Sequence, residues 1–135
     1  MTLTLTEARK IIDGAIAKAR ELKVNVCVTV CSAEGRLIAL NRMDGAYTAS
    51  SRASIGKALA AALTGRPSAE IDGTVDFTPR SALMGEGAPI LRRQGGLPVL
   101  RGGEVGGGCG VSGANSNDED ELCARAGLAA LTAKV

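Results

Sequence analysis

Apolar side chains recur every three or four positions between residues 6 and 22, at Ala8, Ile11, Ile12, Ala15, Ala19 and Leu22, which predicts one buried face of an amphipathic helix. Thr4 followed by Glu7 supplies a capping box at its start. The period then drops to two. Val24, Val26, Val28 and Val30 alternate with Asn25, Cys27, Thr29 and Cys31, so a strand is expected with one all-valine face and one small, mildly polar face. Ser32-Ala33-Glu34-Gly35 reads as a turn that sends residues 36–42 back as an antiparallel strand.

Residues 49–63 form an alanine-dense helical pattern, closed by Gly65 at the C-cap with Pro67 beyond it. Residues 65–90 are a long connection with only a short helical stretch near 81–84, the place for a lid or pocket wall. Three short strands are expected at 89–93, 97–101 and 104–111, with Gly102-Gly103 as a two-residue hairpin turn. A last helix covers about 117–133. The order α-β-β-α-loop-β-β-β-α predicts an α/β (α+β) fold: a five-stranded antiparallel sheet with helices on one face. Its second face then needs a cover, for which a second copy of the chain is expected, giving a homo-oligomer.

The 135 residues fit one domain, 1–135. Forty-five per cent of the chain is hydrophobic, yet Phe77 and Tyr47 are its only aromatic residues, so the core must be built from small aliphatic side chains that let elements approach closely. A net charge of +2 with both signs interspersed argues against nucleic acid as a partner. The N-terminus has no basic region leading into a long apolar run, and nowhere do about 18 apolar residues run together, so neither a membrane span nor export is expected and the chain reads as cytoplasmic. Cys27 and Cys31 would stand ~13 Å apart on one strand, out of disulfide reach, and no CxxC pair supports a metal; reduced, buried thiols are expected at Cys27, Cys31, Cys109 and Cys123. The chain contains no histidine, which removes triads, Cys/His pairs and imidazole ligands and leaves carboxylate, Lys, Tyr or Cys for any chemistry.

The segment EVGGGCGVSG, residues 104–113, holds five glycines and a GxGxxG at 108–113. A dinucleotide fingerprint needs a free helix N-terminus and a second strand ending in an acid. Here the following helix opens with Asp118-Glu119-Asp120-Glu121, which complements its dipole and repels phosphate, and no such strand follows. The glycines instead suit curvature or the close approach of another element, while Gly110, Ser112 and Gly113 are candidates for lining a ligand site. The loop Arg42-Met43-Asp44-Gly45-Ala46-Tyr47 is a candidate binding edge at a helix entrance, with a plain turn as the alternative. On the helix, Ser50 is a cap or a ligand contact, Arg52 a surface charge or an anion contact. Lys57, among Ile55, Gly56, Ala58 and Leu59, needs a carboxylate or a ligand anion as partner. In the long connection Asp72, Asp76, Arg80, Glu86 and Arg92-Arg93 are titratable, with nothing in their spacing to choose among them.

Taken together, RMDGAYTASSRASIGKALAAALTGRPS, GGLPVLRGGEVGGGCGVSGANSNDEDELCARAGLAAL and the hairpin VTVCSAEGRLIAL resemble the GlcG/HbpS-like family, which includes the C-terminal domain of PduO. The resemblance implies a profilin-like sandwich with a five-stranded antiparallel sheet, assembly as dimers to octamers, and binding or degradation of haem or related tetrapyrroles. Its motif falls on Asp44, Gly45, Ala46, Ser50 and Lys57, then on Gly95, Gly96, Pro98, Gly110, Ser112, Gly113 and Asp120. Two departures stand out: the missing histidine, which leaves Met43, Tyr47, a Cys, Lys57 or no protein ligand for haem iron, and Gly106-Gly107-Gly108-Cys109 where the family carries bulkier residues.

The expected function is binding of a small, anionic organic molecule, or cofactor-independent lyase, isomerase or hydrolase chemistry on it. Asp44 or Glu86 would serve as general acid or base, Tyr47 or Cys109 as auxiliary proton donor, and Lys57 would neutralise the anion. A haem or corrinoid carrier is the alternative; a purely structural oligomer subunit is the third.

Overall fold

The computed structural model describes residues 2–71 and 90–132, and the candidate acid Glu86 lies outside the described residues. Helix α1 (Leu5–Leu22) starts on the capping box: Glu7 N–H donates to Thr4 Oγ1 over 3.1 Å and Thr4 N–H to Glu7 Oε1 over 3.0 Å. Strands β1 (Cys27–Ser32) and β2 (Leu37–Arg42) form the expected hairpin, its turn closed by Gly35 at φ +82°. Helix α2 (Ser50–Thr64) ends on Gly65 in the left-handed conformation, whose N–H returns to Ala61 O. A 3₁₀ turn (Ser68–Glu70) follows, then β3 (Gly96–Arg101), β4 (Glu104–Ser112) and α3 (Asn117–Thr132). Gly102 and Gly103 both take positive φ, as a two-residue hairpin turn requires.

The described sheet has four antiparallel strands in the order β2-β1-β4-β3, not five. The strand expected at 89–93 is absent over its described part: Leu91 N–H donates to Gly56 O on α2, and Arg93 O accepts from Ser68 Oγ. Those backbone groups are spent on α2 and the 3₁₀ turn, so the segment crosses over the helix instead of extending the sheet. β1 also begins at Cys27, three residues later than the valine alternation suggests, and is buried on both faces.

The helices do not lie on one face. α1 and α3 cover one side, where Ile11, Ile12, Ala15, Val26, Val28, Val30, Cys109, Val111 and Cys123 build the main core. They approach closely at Gly14 and Gly127, where a Cβ would stand 2.6 Å from Ala130 Cβ and from Ile11 O respectively. α2 covers the other side alone, over Cys31 and Thr29, whose Oγ1 shares a 2.7 Å hydrogen bond with Ser54 Oγ. An uncovered sheet face is therefore no longer a reason to expect a second copy.

The glycine-rich segment explains why α2 fits there. A Cβ on Gly108 would strike Ala58 O, one on Gly110 would strike Ser54 O, and one on Gly96 would strike Lys57 O. The space beside Gly108 and Gly110 of β4 is thus filled by the backbone of α2, and that beside Gly107 by Cys31 O and Leu3, so none of these three widens a cavity.

Candidate functional site

α2 lies so deep against β4 that one of its charged side chains is carried inside. Lys57 is 2 % exposed; its Nζ donates to Val111 O over 2.9 Å and to Asp120 Oδ2 over 3.0 Å. Val111 is near the end of β4, and Asp120 is in the first turn of α3. Asp120 reaches inward because its other oxygen, Oδ1, accepts Ala114 N–H at 3.0 Å, while Ser116 Oγ and Glu119 Oε1 satisfy Glu119 N–H and Asn115 N–H. The acidic run is therefore a helix cap and, through Asp120, the partner that the lysine needed. A bare helix end ready for phosphate it is not.

The wall opposite is backbone. Gly95, at φ +128°, accepts Val111 N–H on its carbonyl, and a side chain there would come within 2.9 Å of Lys57 Nζ and 2.7 Å of Val111 O. Ser68 Oγ then accepts Gly96 N–H at 2.8 Å and donates to Arg93 O, which ties the 3₁₀ turn to the approach to β3.

Beside the Lys57–Asp120 pair lies a recess of about 280 Å³. Lys57 and Asp120 form its floor; Ser112, Asn115 and Leu91 flank it, with the exposed Tyr47 and Arg93 at its mouth. The volume lies just below the ~300 Å³ lower bound of drug-sized sites, a scale that suits a small metabolite. Burial is the largest influence on the Lys57 amine and pushes its pKa below the ordinary 10.5; Asp120 opposes this and the Arg93 charge adds to it.

Of the residues expected to gather at one site, Tyr47, Lys57 and Ser112 do. Asp44 lines a different hollow of about 630 Å³ with Ile16, Arg20, Asn25 and Met43, on the α1 side of the β2 loop. Gly45 packs on Asn25, Ala46 is buried and its carbonyl accepts from Arg42 Nη2, and Ser50 is a buried anchor whose Oγ donates to Tyr47 O at 2.6 Å. Arg52 is exposed on α2. Gly110 and Gly113 face α2 and the start of β1. Cys109 is fully buried on the opposite side of the sheet, away from this cavity, where burial pushes its thiol up to about 12. The residues that spacing did not single out are those brought in by chain crossings: Leu91, Arg93 and Asn115.

A single antiparallel sheet between two helices and one, with a small polar cavity where α2, β4 and α3 meet, defines a compact α+β domain with a recess at one end of its sheet. The chain belongs to the HbpS-like family: the family model described as haem degrading protein HbpS-like matches residues 3–129. It is similar to an uncharacterized 15.0 kDa protein of the dhaT-dhaS intergenic region of Citrobacter freundii, at 34% identity over 131 residues, 94% of this chain and 90% of that one. Among solved structures, Klebsiella pneumoniae protein ORFY superposes with a TM-score of 0.84 at 27% identity, covering 100% of this chain and 94% of that one. The haem complex of PduOC superposes with a TM-score of 0.79 at 25% identity, covering 96% and 95%.

Proposed function

We propose that this chain binds a small organic anion in the cavity between α2, β4 and α3. The observation that carries the reading is Lys57: an ammonium at 2 % exposure, paired with Asp120, is among the residues that line a small recess. Keeping a charge out of water is costly unless it is paired, and Asp120 supplies the pair. Arg93 adds a second positive charge at the mouth, so Lys57, Arg93 and Asp120 together leave the recess one positive charge in excess. Ser112 and Asn115 offer neutral donors for orientation.

A second reading, a tetrapyrrole as ligand, is favoured by the haem-degrading description of the family and by the haem complex of PduOC. The residues here do not fit an axially ligated haem. There is no histidine, Met43 Sδ accepts Val26 N–H at 3.4 Å, and the Cys31, Cys109 and Cys123 thiols are buried with raised pKa values. Tyr47 is the one exposed candidate among the described residues at the cavity mouth.

Calorimetric titration with acetate, propionate and pyruvate at pH 7 tests the first reading. One site per chain is expected, with affinity falling at least tenfold in Arg93→Ala. No binding, or equal binding by that variant, would overturn it. Haemin separates the second: a sharp Soret shift at equimolar protein that disappears in Tyr47→Phe would replace the anion reading.

A further inference from the structure

We propose that Lys57 is a nucleophile that condenses reversibly with a small aldehyde or 2-oxo acid, holding it in the cavity as a protonated imine. The inference rests on the ligand site proposed above and names the class of compound that uses it.

Three features of the pair go beyond what anion binding needs. First, Lys57 has a proton acceptor in hydrogen-bond contact: Asp120 Oδ2 lies 3.0 Å from Nζ, close enough to take a proton directly. Secondly, the wall facing Nζ is the glycine Gly95, where even a methyl group would come within 2.9 Å of the nitrogen. Thirdly, burial and, more weakly, the Arg93 charge favour the neutral, nucleophilic form of the amine, against the opposing pull of Asp120. Its polar neighbours are Asp120, Arg93, Tyr47, Ser112 and the carbonyl of Val111.

The chemistry balances without any oxidant or reductant. The ammonium of Lys57 passes a proton to Asp120, and the nitrogen lone pair forms a bond to the carbonyl carbon. The carbonyl π pair moves to oxygen, which takes up the proton from Asp120. Asp120 then removes a proton from the nitrogen of this carbinolamine and returns it to the hydroxyl group, which departs as water as the C=N bond forms. The net change is one amine and one carbonyl to one imine and one water. Protonated, the imine keeps an N–H for the Asp120 carboxylate. A carboxylate next to the carbonyl carbon would face Arg93 and the Ser112 hydroxyl.

Trapping with pyruvate or acetaldehyde and sodium cyanoborohydride at pH 7, read by intact mass and peptide mapping, tests the inference. One reduced adduct per chain is expected, on Lys57, forming at least tenfold faster than on the exposed Lys10 and Lys23 of the same molecules. Lys57→Arg keeps a cation opposite Asp120, so its fold is expected to survive, and circular dichroism checks this; the adduct should vanish from it. Labelling of Lys57 no faster than Lys10 and Lys23, or an undiminished adduct count in Lys57→Arg, would overturn the proposal. Propionate, which has no carbonyl to condense, separates the two claims: if it binds calorimetrically while Lys57 stays unlabelled, the anion site stands and the imine falls. If it does not bind either, both fall.

Discussion

Lys57 and Asp120 stand 63 positions apart in the chain, yet they form a buried ion pair. A lysine in the middle of an alanine-rich helix stretch already required a partner, and that much was readable from Ile55, Gly56, Ala58 and Leu59 around it. Which carboxylate would answer was not readable, because a capped acidic first turn looks the same whether one of its members faces inward or all face water. The thiols give the residue scale its pH dependence. Cys109 is held at about 12 in the folded chain against an ordinary 9.0, so the folded state keeps this proton after the unfolded state has lost it. Its contribution is complete below pH 9 and is lost as pH climbs from 9 towards 12. Lys57, lowered from 10.5, acts in the opposite direction up to that pH, which makes a variant comparison necessary. In urea titrations the stability lead of the parent over Cys109→Ala should shrink by about 1.4 kcal/mol between pH 8 and pH 10. A lead that stays constant would contradict the assignment.

At the scale of elements, the fit between α2 and β4 decides where the cavity lies. The helix rests on a bed of glycines at 96, 108 and 110, and that depth is what brings Lys57 level with the end of β4. From the sequence, the preference of the glycine run for close approach was legible; the element that approaches was not, since nothing local says which helix covers which face. For the same reason both helix layers were placed together, although Cys27, Thr29 and Cys31 are just the small side chains a second, closely seated helix needs. Gly110→Ala should push α2 outward against Ser54 O and cost ~1–3 kcal/mol or more in urea unfolding. Gly102→Asn, in the open turn where nothing lies within 4 Å of an added Cβ, should stay within about 0.5 kcal/mol of the parent, since Asn-Gly is the favoured pair for that turn. Similar losses at both positions would show that backbone freedom, not helix seating, is what the glycines supply.

At the scale of the whole molecule, the alternation of hydrophobic periods was enough for the three long helices, four of the five expected strands, the hairpins and the antiparallel pairing, and the motif resemblance matched the family. The strand at 89–93 misled because the backbone of Leu91 and Arg93 is claimed by Gly56 of α2 and Ser68 of the 3₁₀ turn, a long-range competition that no local pattern records. The candidate site was half legible. Tyr47, Lys57 and Ser112 converge as expected, while Asp44 turns to the α1 side and Cys109 to the far face of the sheet. Two hollows therefore compete, and the central claim is that the smaller one, floored by Lys57 and Asp120, is where the ligand sits. The direct test is a ¹H–¹⁵N map of the full chain titrated with propionate. The account predicts that the shifted amides cluster at Tyr47, Ala53, Lys57, Arg93 and 112–117, saturating together; shifts centred on Arg20, Asn25, Met43 and Asp44, or no saturable shifts at all, would contradict it.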